Sequence, residues 1–144
     1  MNLLLESGSA IKKAKEKFFA DIVRQFHLTS IELTVLLFLN YSNFDTATDI
    51  VNELFIAKSH VSLSVNLLNT KGYIQKVQDK EDRKITHLKL TKKTEEIFKI
   101  TNEKIKSLEE RLFEGLTEED KINMERILNI FYGNIRNLIG EGSF

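Results

Sequence analysis

The sequence contains no cysteine, no proline and no tryptophan among its 144 residues, and it has only six glycines. Without cysteine the chain forms no disulfide, senses no oxidant through a thiolate and holds no zinc through sulfur ligands. Without proline, helices run on uninterrupted, because proline removes a backbone donor and clashes inside a helix. These absences favour a helical fold whose function does not depend on thiol chemistry.

Long apolar segments are missing as well. The cluster at residues 3–5 lacks the basic flank and the length of a signal peptide. No apolar run approaches the roughly 18 residues that a membrane span needs. With 42% hydrophobic and 29% charged residues, the composition is typical of a soluble globular domain. We therefore expect one cytoplasmic domain that makes no membrane contact.

The sequence also lacks the signatures of common enzymes. It has no glycine-rich phosphate loop, no nucleophile elbow and no His-Glu-x-x-His run. Its three histidines, His27, His60 and His87, are dispersed. We predict no catalytic activity, no cofactor and no metal site. A metal-responsive regulator that uses histidine and carboxylate ligands is kept as an alternative.

Residues 45–91 combine the signals of two short helices and a β-hairpin. Thr48 is the predicted N-cap of the first helix, and Ser59 is the predicted N-cap of the second. Gly72 is expected to end the second helix, since glycine adopts the left-handed conformation at little steric cost. Strands are predicted at 73–78 and 85–90, around a charged tip at 79–84. This order of elements predicts a helix-turn-helix with a wing.

The two short helices have distinct apolar and polar faces. The first is expected to bury Ile50, Val51, Leu54 and Phe55, and the second to bury Val61, Val65 and Leu68 at helical spacing. The opposite face of the second helix suits contact with base edges and phosphates. The candidate DNA contacts are Ser59, His60, Ser62, Leu63 and Asn66 for bases, with Lys58 and Lys71 for phosphates. An ordinary solvated helix face is the alternative.

Charge is segregated along a chain whose 21 basic and 21 acidic residues cancel. Between Lys58 and Lys93 nine basic residues accompany three acidic ones, which leaves the rest of the chain with a net charge of −6. The positive segment coincides with the predicted winged module, as expected for a surface that binds a polyanion. In the wing, Arg83 and Lys84 are candidates for contact with the minor groove.

The run from Asp79 to Thr91, DKEDRKITHLKLT, resembles the wing of the MarR family of bacterial transcriptional regulators. In that family an Asp-x-x-Asp-Arg-Arg type of tip leads into a strand that ends in Leu-Thr. The second helix is similar to the family's recognition helix at Ser62, Leu68, Gly72, Tyr73 and Ile74. Leu63 stands where members often carry arginine. The leucine removes a contact to a phosphate or guanine and offers one to a thymine methyl group instead. The resemblance covers nearly the whole chain and implies double-stranded DNA as a partner and a role as a repressor.

Helices are predicted on both sides of this module, from about Ser9 to Phe26, from Ser30 to Tyr41, from Thr91 to Glu114 and from Thr117 onward. Thr91 is the predicted N-cap of the third of these helices, and Gly115 is expected to separate the last two. The fold class is mainly α with a small β-hairpin. Within a single domain at 1–144 we assign dimerisation helices to 1–26 and 117–144, a winged helix-turn-helix lobe to 30–93 and a connecting helix to 91–114. The last helix has more apolar residues than one stripe can bury, which predicts a homodimer that reads inverted half-sites.

The resemblance further implies a small aromatic or phenolic effector, bound between the dimerisation helices and the DNA-binding lobe, that releases the protein from DNA. Candidate linings of this pocket are Phe18, Phe38, Tyr41 and Phe44. Membership of an ordinary core is the alternative for these four aromatic residues. A winged helix that binds another protein instead of DNA also stays open as an interpretation of the whole chain.

Overall fold

The computed structural model describes residues 3–141, which form six α-helices, one antiparallel hairpin and one 3-10 turn. In chain order the elements are α1 (Leu3–Gln25), α2 (Ser30–Tyr41), α3 (Ala47–Leu54), α4 (Lys58–Thr70), β1 (Ile74–Gln78), β2 (Thr86–Leu90), the 3-10 turn (Lys92–Thr94), α5 (Glu95–Leu112) and α6 (Glu118–Glu141). The predicted class, mainly α with a small β-hairpin, is confirmed. The chain divides after Asn102 into two compact units.

The first helix is longer than the sequence predicted. It begins at Leu3 rather than Ser9 and passes through Gly8. A Cβ added at Gly8 would meet nothing within 4 Å, so no close approach demands glycine there. The helix continues because one interior glycine costs only about 1 kcal/mol relative to alanine.

Two helices end in the left-handed conformation that closes a Schellman cap. α1 is followed by His27, with a φ of 53°, and α4 by Gly72, with a φ of 81°. The next amides, of Leu28 and Tyr73, donate to carbonyl oxygens five residues earlier at 2.9 Å and 3.0 Å. The predicted role of Gly72 at the end of α4 is confirmed.

Both N-caps that were predicted for the helix-turn-helix were wrong. The side chain of Thr46, not Thr48, accepts a hydrogen bond from the amide of Asp49 at 3.1 Å, and the Asp49 carboxylate accepts one from the Thr46 amide. This reciprocal capping box satisfies two orphan donors, so the helix begins two residues earlier. α4 follows Ala57 without any side-chain cap, and Ser59 lies inside its first turn.

The core of the first unit is apolar and draws on every α-helix and strand from α1 to α5. Its buried residues are Ile22, Leu28, Leu33, Val35, Leu36, Ile50, Val61, Val65, Leu68, Tyr73, Ile74, Leu88 and Ile97. The predicted buried stripe of α4 is therefore confirmed. Phe55, which was expected inside, is 52% exposed, because the chain leaves α3 at this residue in the left-handed conformation.

The hairpin forms the wing in the predicted place. β1 and β2 pair antiparallel, with Ile74 opposite Leu90, and each begins one residue later than expected. A further backbone bond ties the wing to the loop before α3, because the amide of Leu88 donates to the carbonyl oxygen of Asp45 at 2.7 Å. The wing is thus attached to the helix-turn-helix by main chain as well as by side chains.

The start of α5 differs from the prediction that Thr91 caps it. The Thr91 hydroxyl donates to the Gly72 carbonyl oxygen at 2.6 Å, and its side chain caps no helix. A 3-10 turn follows instead, and α5 begins at Glu95. Thr91 therefore joins the end of the wing to the end of α4.

The second unit contains the end of α5 and all of α6. Gly115 separates the two helices with a φ of 86°, as predicted. Thr117 and Asp120 then form a reciprocal cap, with bonds of 2.9 Å and 3.1 Å. Across residues 3–141 no single helix has both the length and the apolar character of a membrane span. Only α1 and α2 taken together reach that length and apolar character, and they are bent by 94° relative to each other.

Candidate nucleic-acid interface

The exposed face of α4 collects the side chains that were predicted to contact bases. Ser59, His60, Ser62, Leu63 and Asn66 are all exposed, and Leu63 leaves 60% of its surface accessible. The opposite face packs into the core, so burial sets the rotation of α4 about its axis. The structure thereby presents hydroxyl, imidazole, amide and methyl groups along one solvent-facing surface.

Asn66 on this surface is oriented from the neighbouring strand. The ammonium of Lys76 on β1 donates to the side-chain carbonyl oxygen of Asn66. A carbonyl oxygen has two lone pairs, so Asn66 keeps one acceptor position and both amide donors for a further partner. That combination matches the acceptor and donor that adenine presents in the major groove.

The two lysines predicted to contact phosphates lie in different surroundings. Lys58 is exposed as the first residue of α4. Lys71 instead donates to Glu32 Oε1 at 2.8 Å and to the His27 carbonyl oxygen at 2.9 Å. Glu32 has no exposed surface, and a buried carboxylate needs a partner. The Lys71 ammonium is therefore engaged in an internal ion pair, which disfavours the predicted contact with a phosphate.

The wing tip is a structured turn that carries three exposed cations, Lys80, Arg83 and Lys84. Asp79 Oδ2 accepts the amides of Glu81 and Asp82 at 3.0 Å and 2.9 Å. Asp82 Oδ1 accepts the amide of Lys84 at 3.0 Å. Arg83 is the central residue of the second Asx turn, and both Arg83 and Lys84 are exposed. The backbone that carries the arginine is therefore held by side-chain hydrogen bonds.

His87 is a residue that the sequence analysis counted only among the dispersed histidines. Its Nδ1 lies 2.8 Å from Asp45 Oδ1, and its Nε2 lies 2.8 Å from Asp79 Oδ1. Lys89 donates to the other oxygen of Asp45 at 2.9 Å. No local sequence signal marks this cluster, because 42 residues separate His87 from Asp45. The described part of the chain holds no group of three or more histidine and acidic side chains arranged to bind a metal.

The cluster shifts the protonation equilibria of its members. Hydrogen bonds to Asp45 and Asp79 raise the pKa of His87 above its ordinary 6.5. The bond from His87, followed by the two amide bonds, lowers the pKa of Asp79 to about 2. At Asp45 desolvation is the largest effect and raises the pKa, but bonds from His87 and Lys89 outweigh it and leave the pKa lowered. All three shifts favour an imidazolium between two carboxylates.

A cavity of about 470 Å³ is lined by α1, α2 and the end of α3. Phe38 and Tyr41 line it, whereas Phe18 and Phe44 do not. Phe18 packs edge-on against Phe19, which is a lining residue, and Phe44 is 49% exposed. Two cations and one carboxylate also reach the lining, from Lys12, Lys15 and Glu16.

A family model described as a winged helix DNA-binding domain matches residues 28–94. The HTH-type transcriptional regulator BilQ of Clostridioides difficile strain CD3 is 27% identical over 101 residues. The match covers 67% of this chain and 68% of that protein.

Solved structures with a similar fold extend over nearly the whole chain. A MarR protein from Peptoclostridium difficile DA00132 matches with a TM-score of 0.81 and 23% identity, over 95% of this chain and 89% of that one. FabT of Streptococcus pneumoniae, solved in complex with DNA, matches with a TM-score of 0.70 and 25% identity, over 94% and 96% of the two chains.

Proposed function

We propose that the chain is a winged helix-turn-helix transcriptional regulator of the MarR type, which binds an inverted-repeat operator as a homodimer and represses transcription. In this proposal α4 enters the major groove of each half-site and the wing reaches the adjacent minor groove. Two recognition helices related by a dyad would read half-sites about one helical turn apart.

The observation that carries the proposal is the exposed face of α4 beside a basic wing. Ser59, His60, Ser62, Leu63 and Asn66 would approach base edges, and Lys58 would meet a phosphate. Arg83 and Lys84 at the wing tip would act in the minor groove, where negative potential attracts guanidinium groups. The net charge of the whole chain is zero, so a local excess of basic residues here is a feature of this surface and not of the protein as a whole.

The proposed dimer interface uses α6 and its counterpart in a second copy of the chain. α6 exposes eight large apolar side chains, namely Ile122, Ile127, Leu128, Ile130, Phe131, Tyr132, Leu138 and Ile139. An apolar surface of this kind favours a partner, and a two-fold dimer is the commonest arrangement that supplies one. Residues 1–26 are proposed to contribute to the same interface.

We further propose that the cavity of the first unit takes a small aromatic effector that lowers operator affinity. Its volume falls in the range of small-molecule sites, and its lining is mostly apolar with aromatic rings from Phe19, Phe38 and Tyr41. Lys12 and Lys15 suit a carboxylate on such a molecule. The effector would act only if it binds the DNA-free arrangement more tightly than the DNA-bound one.

The test is direct binding of the purified protein to duplex DNA from its own upstream region, measured by gel shift over a series of salt concentrations. We expect specific binding whose affinity falls steeply with salt, because each neutralised phosphate releases counterions. Addition of aromatic acids from a panel should release the complex if the effector proposal holds. A protein that ignores duplex DNA in dilute buffer would instead be a protein-interaction module.

A further inference from the structure

We propose that His87 is a positioning residue for the wing, whose imidazolium ties the Arg83 turn to the start of the helix-turn-helix, so that operator affinity falls when this imidazole loses its proton. The inference rests on the proposed DNA-binding function and adds a regulatory property to it. Its basis is the geometry of four side chains that meet at the root of the wing tip.

Both ring nitrogens of His87 face carboxylate oxygens at the same distance of 2.8 Å. A carboxylate only accepts hydrogen bonds, and a neutral imidazole has one N–H, so only the imidazolium can donate to both Asp45 and Asp79. After deprotonation one ring nitrogen would turn its lone pair toward an anionic oxygen. One of the two links would then break.

The link to Asp79 reaches the arginine through the turn. While Asp79 Oδ1 is held by His87, its Oδ2 accepts the amides of Glu81 and Asp82, immediately before Arg83. Releasing Asp79 from His87 frees the carboxylate that shapes this turn. The guanidinium would then sample more positions, and fixing it on DNA would cost conformational entropy.

The link to Asp45 reaches the helix-turn-helix. Asp45 directly precedes Thr46, the N-cap of α3, and its carbonyl oxygen accepts the amide of Leu88. Its second carboxylate oxygen accepts from Lys89. His87 is therefore the side chain that joins the wing tip to the loop from which α3 begins.

Two charged groups pair with this imidazole: Asp45 from the loop before α3 and Asp79 from the wing tip. A third, Lys89 from β2, pairs with Asp45. The two carboxylates contact the ring directly, and their hydrogen bonds raise the pKa of His87. The raised pKa of His87 sets the direction of the expected pH effect. Both links are complete below pH 6.5, and one is lost as pH rises through the higher pKa of the folded protein.

The first measurement is operator affinity between pH 6 and pH 9 at constant ionic strength, by fluorescence anisotropy. We expect wild-type affinity to fall about tenfold, the effect of one charge-assisted hydrogen bond, and the profile of His87→Gln to be flat by comparison. His27→Asn, which replaces a histidine outside the proposed interface, is the matched control and should keep the wild-type profile. His60→Gln tests whether the histidine on the exposed face of α4 contributes to the pH dependence. A pH dependence that disappears with His60→Gln and persists with His87→Gln overturns the proposal.

A double-mutant cycle distinguishes positioning of the arginine from general stability. Combining His87→Gln with Arg83→Ala should give much less than the product of the two separate losses, because both act through one contact. Combining His87→Gln with Leu63→Ala should give the full product, since Leu63 lies on α4. A full product in the first cycle would contradict the coupling.

A nitrogen-15 NMR titration of the imidazoles in the DNA-free protein tests the link without an operator. The His87 ring should carry protons on both nitrogens at neutral pH and titrate above 6.5, and it should titrate lower in Asp79→Asn. Normal titration of His87, or no effect of Asp79→Asn, overturns the inference even if the protein binds DNA. If His87 titrates as expected but no duplex is bound, the proposed function fails and the consequence for affinity fails with it.

Discussion

The carboxylate of Glu32 and the ammonium of Lys71 form an ion pair at 2.8 Å and 3.1 Å between residues 39 positions apart. Glu32 has no exposed surface, whereas the Lys71 side chain is 31% exposed. Glu32 also accepts the amide of Thr29 at 2.6 Å as part of the capping box of α2. The pair therefore joins the start of α2 to the end of α4, and through the His27 carbonyl oxygen to the end of α1.

Replacing Lys71 by methionine should destabilise the protein, because it leaves a buried carboxylate without its cation. We expect a loss of about 2 to 4 kcal/mol in the free energy of unfolding. Lys93→Met is the matched control, since Lys93 donates to a backbone oxygen and covers the Tyr73 ring but pairs with no buried acid. Chemical denaturation measures both. The salt dependence of DNA binding should be unchanged in Lys71→Met. A shallower dependence of affinity on salt would show that Lys71 contacts a phosphate after all.

Removal of the wing arginine should weaken operator binding without affecting assembly. For Arg83→Ala we expect about a tenfold loss of affinity and a shallower salt dependence, as for one lost cationic contact in the groove. Lys99→Ala removes an exposed cation from α5 and is the control. Anisotropy titrations with sedimentation analysis measure affinity and dimer together. Equal affinity of the two variants would remove the wing from the mechanism.

Leu63 should contribute to sequence preference more than to overall affinity. A leucine on the exposed face of α4 can contact a thymine methyl group, and such a contact distinguishes an A·T base pair from the others. Leu63→Ala should reduce the preference at one operator position several-fold while binding to nonspecific DNA stays the same. Asn69→Ala, also exposed and near the end of α4, is the control. Competition with single-substituted operators measures the change, and an unchanged preference profile would contradict the assignment.

A charge in the apolar surface of α6 should disrupt the proposed dimer. Phe131→Asp should raise the dimer dissociation constant about 30-fold or more, as expected for an aromatic anchor. Asn129→Asp adds the same charge to an exposed polar position of the same helix and is the control. Analytical ultracentrifugation measures both. A chain truncated after Gly115 should likewise be monomeric or insoluble, and a well-behaved truncated dimer would contradict the interface.

Asp79 should make stability depend on acidity. Its pKa is lowered from 3.8 to about 2 by bonds from His87 and two amides. A lowered pKa means that the contribution is complete above pH 3.8 and disappears as pH falls toward 2. Asp79→Asn should therefore be less stable than wild type at pH 5, with the difference shrinking below pH 3. Glu81→Gln removes a carboxylate from the same turn without breaking these bonds, and thermal unfolding at each pH compares the three proteins.

Local patterns were sufficient for most secondary structure. The spacing of Val61, Val65 and Leu68 identified the buried face of α4, because helical periodicity requires no information from distant residues. Gly72 and Gly115 marked helix ends for the same reason. The misplaced caps at Thr48 and Ser59 were each errors of two residues: Thr46 competes with Thr48 for the same amides, and α4 begins after Ala57 without any side-chain cap.

Sequence by itself determined the order of elements, the exposed polar face of α4 and the segregation of charge, because each depends on neighbours along the chain. Only the tertiary structure decided which charged side chains pair with one another inside the protein. It assigned Lys71 to Glu32, and it placed His87 between Asp45 and Asp79. Such partners come from distant segments, and their meeting depends on how helices and hairpin pack, a relationship that no local periodicity encodes.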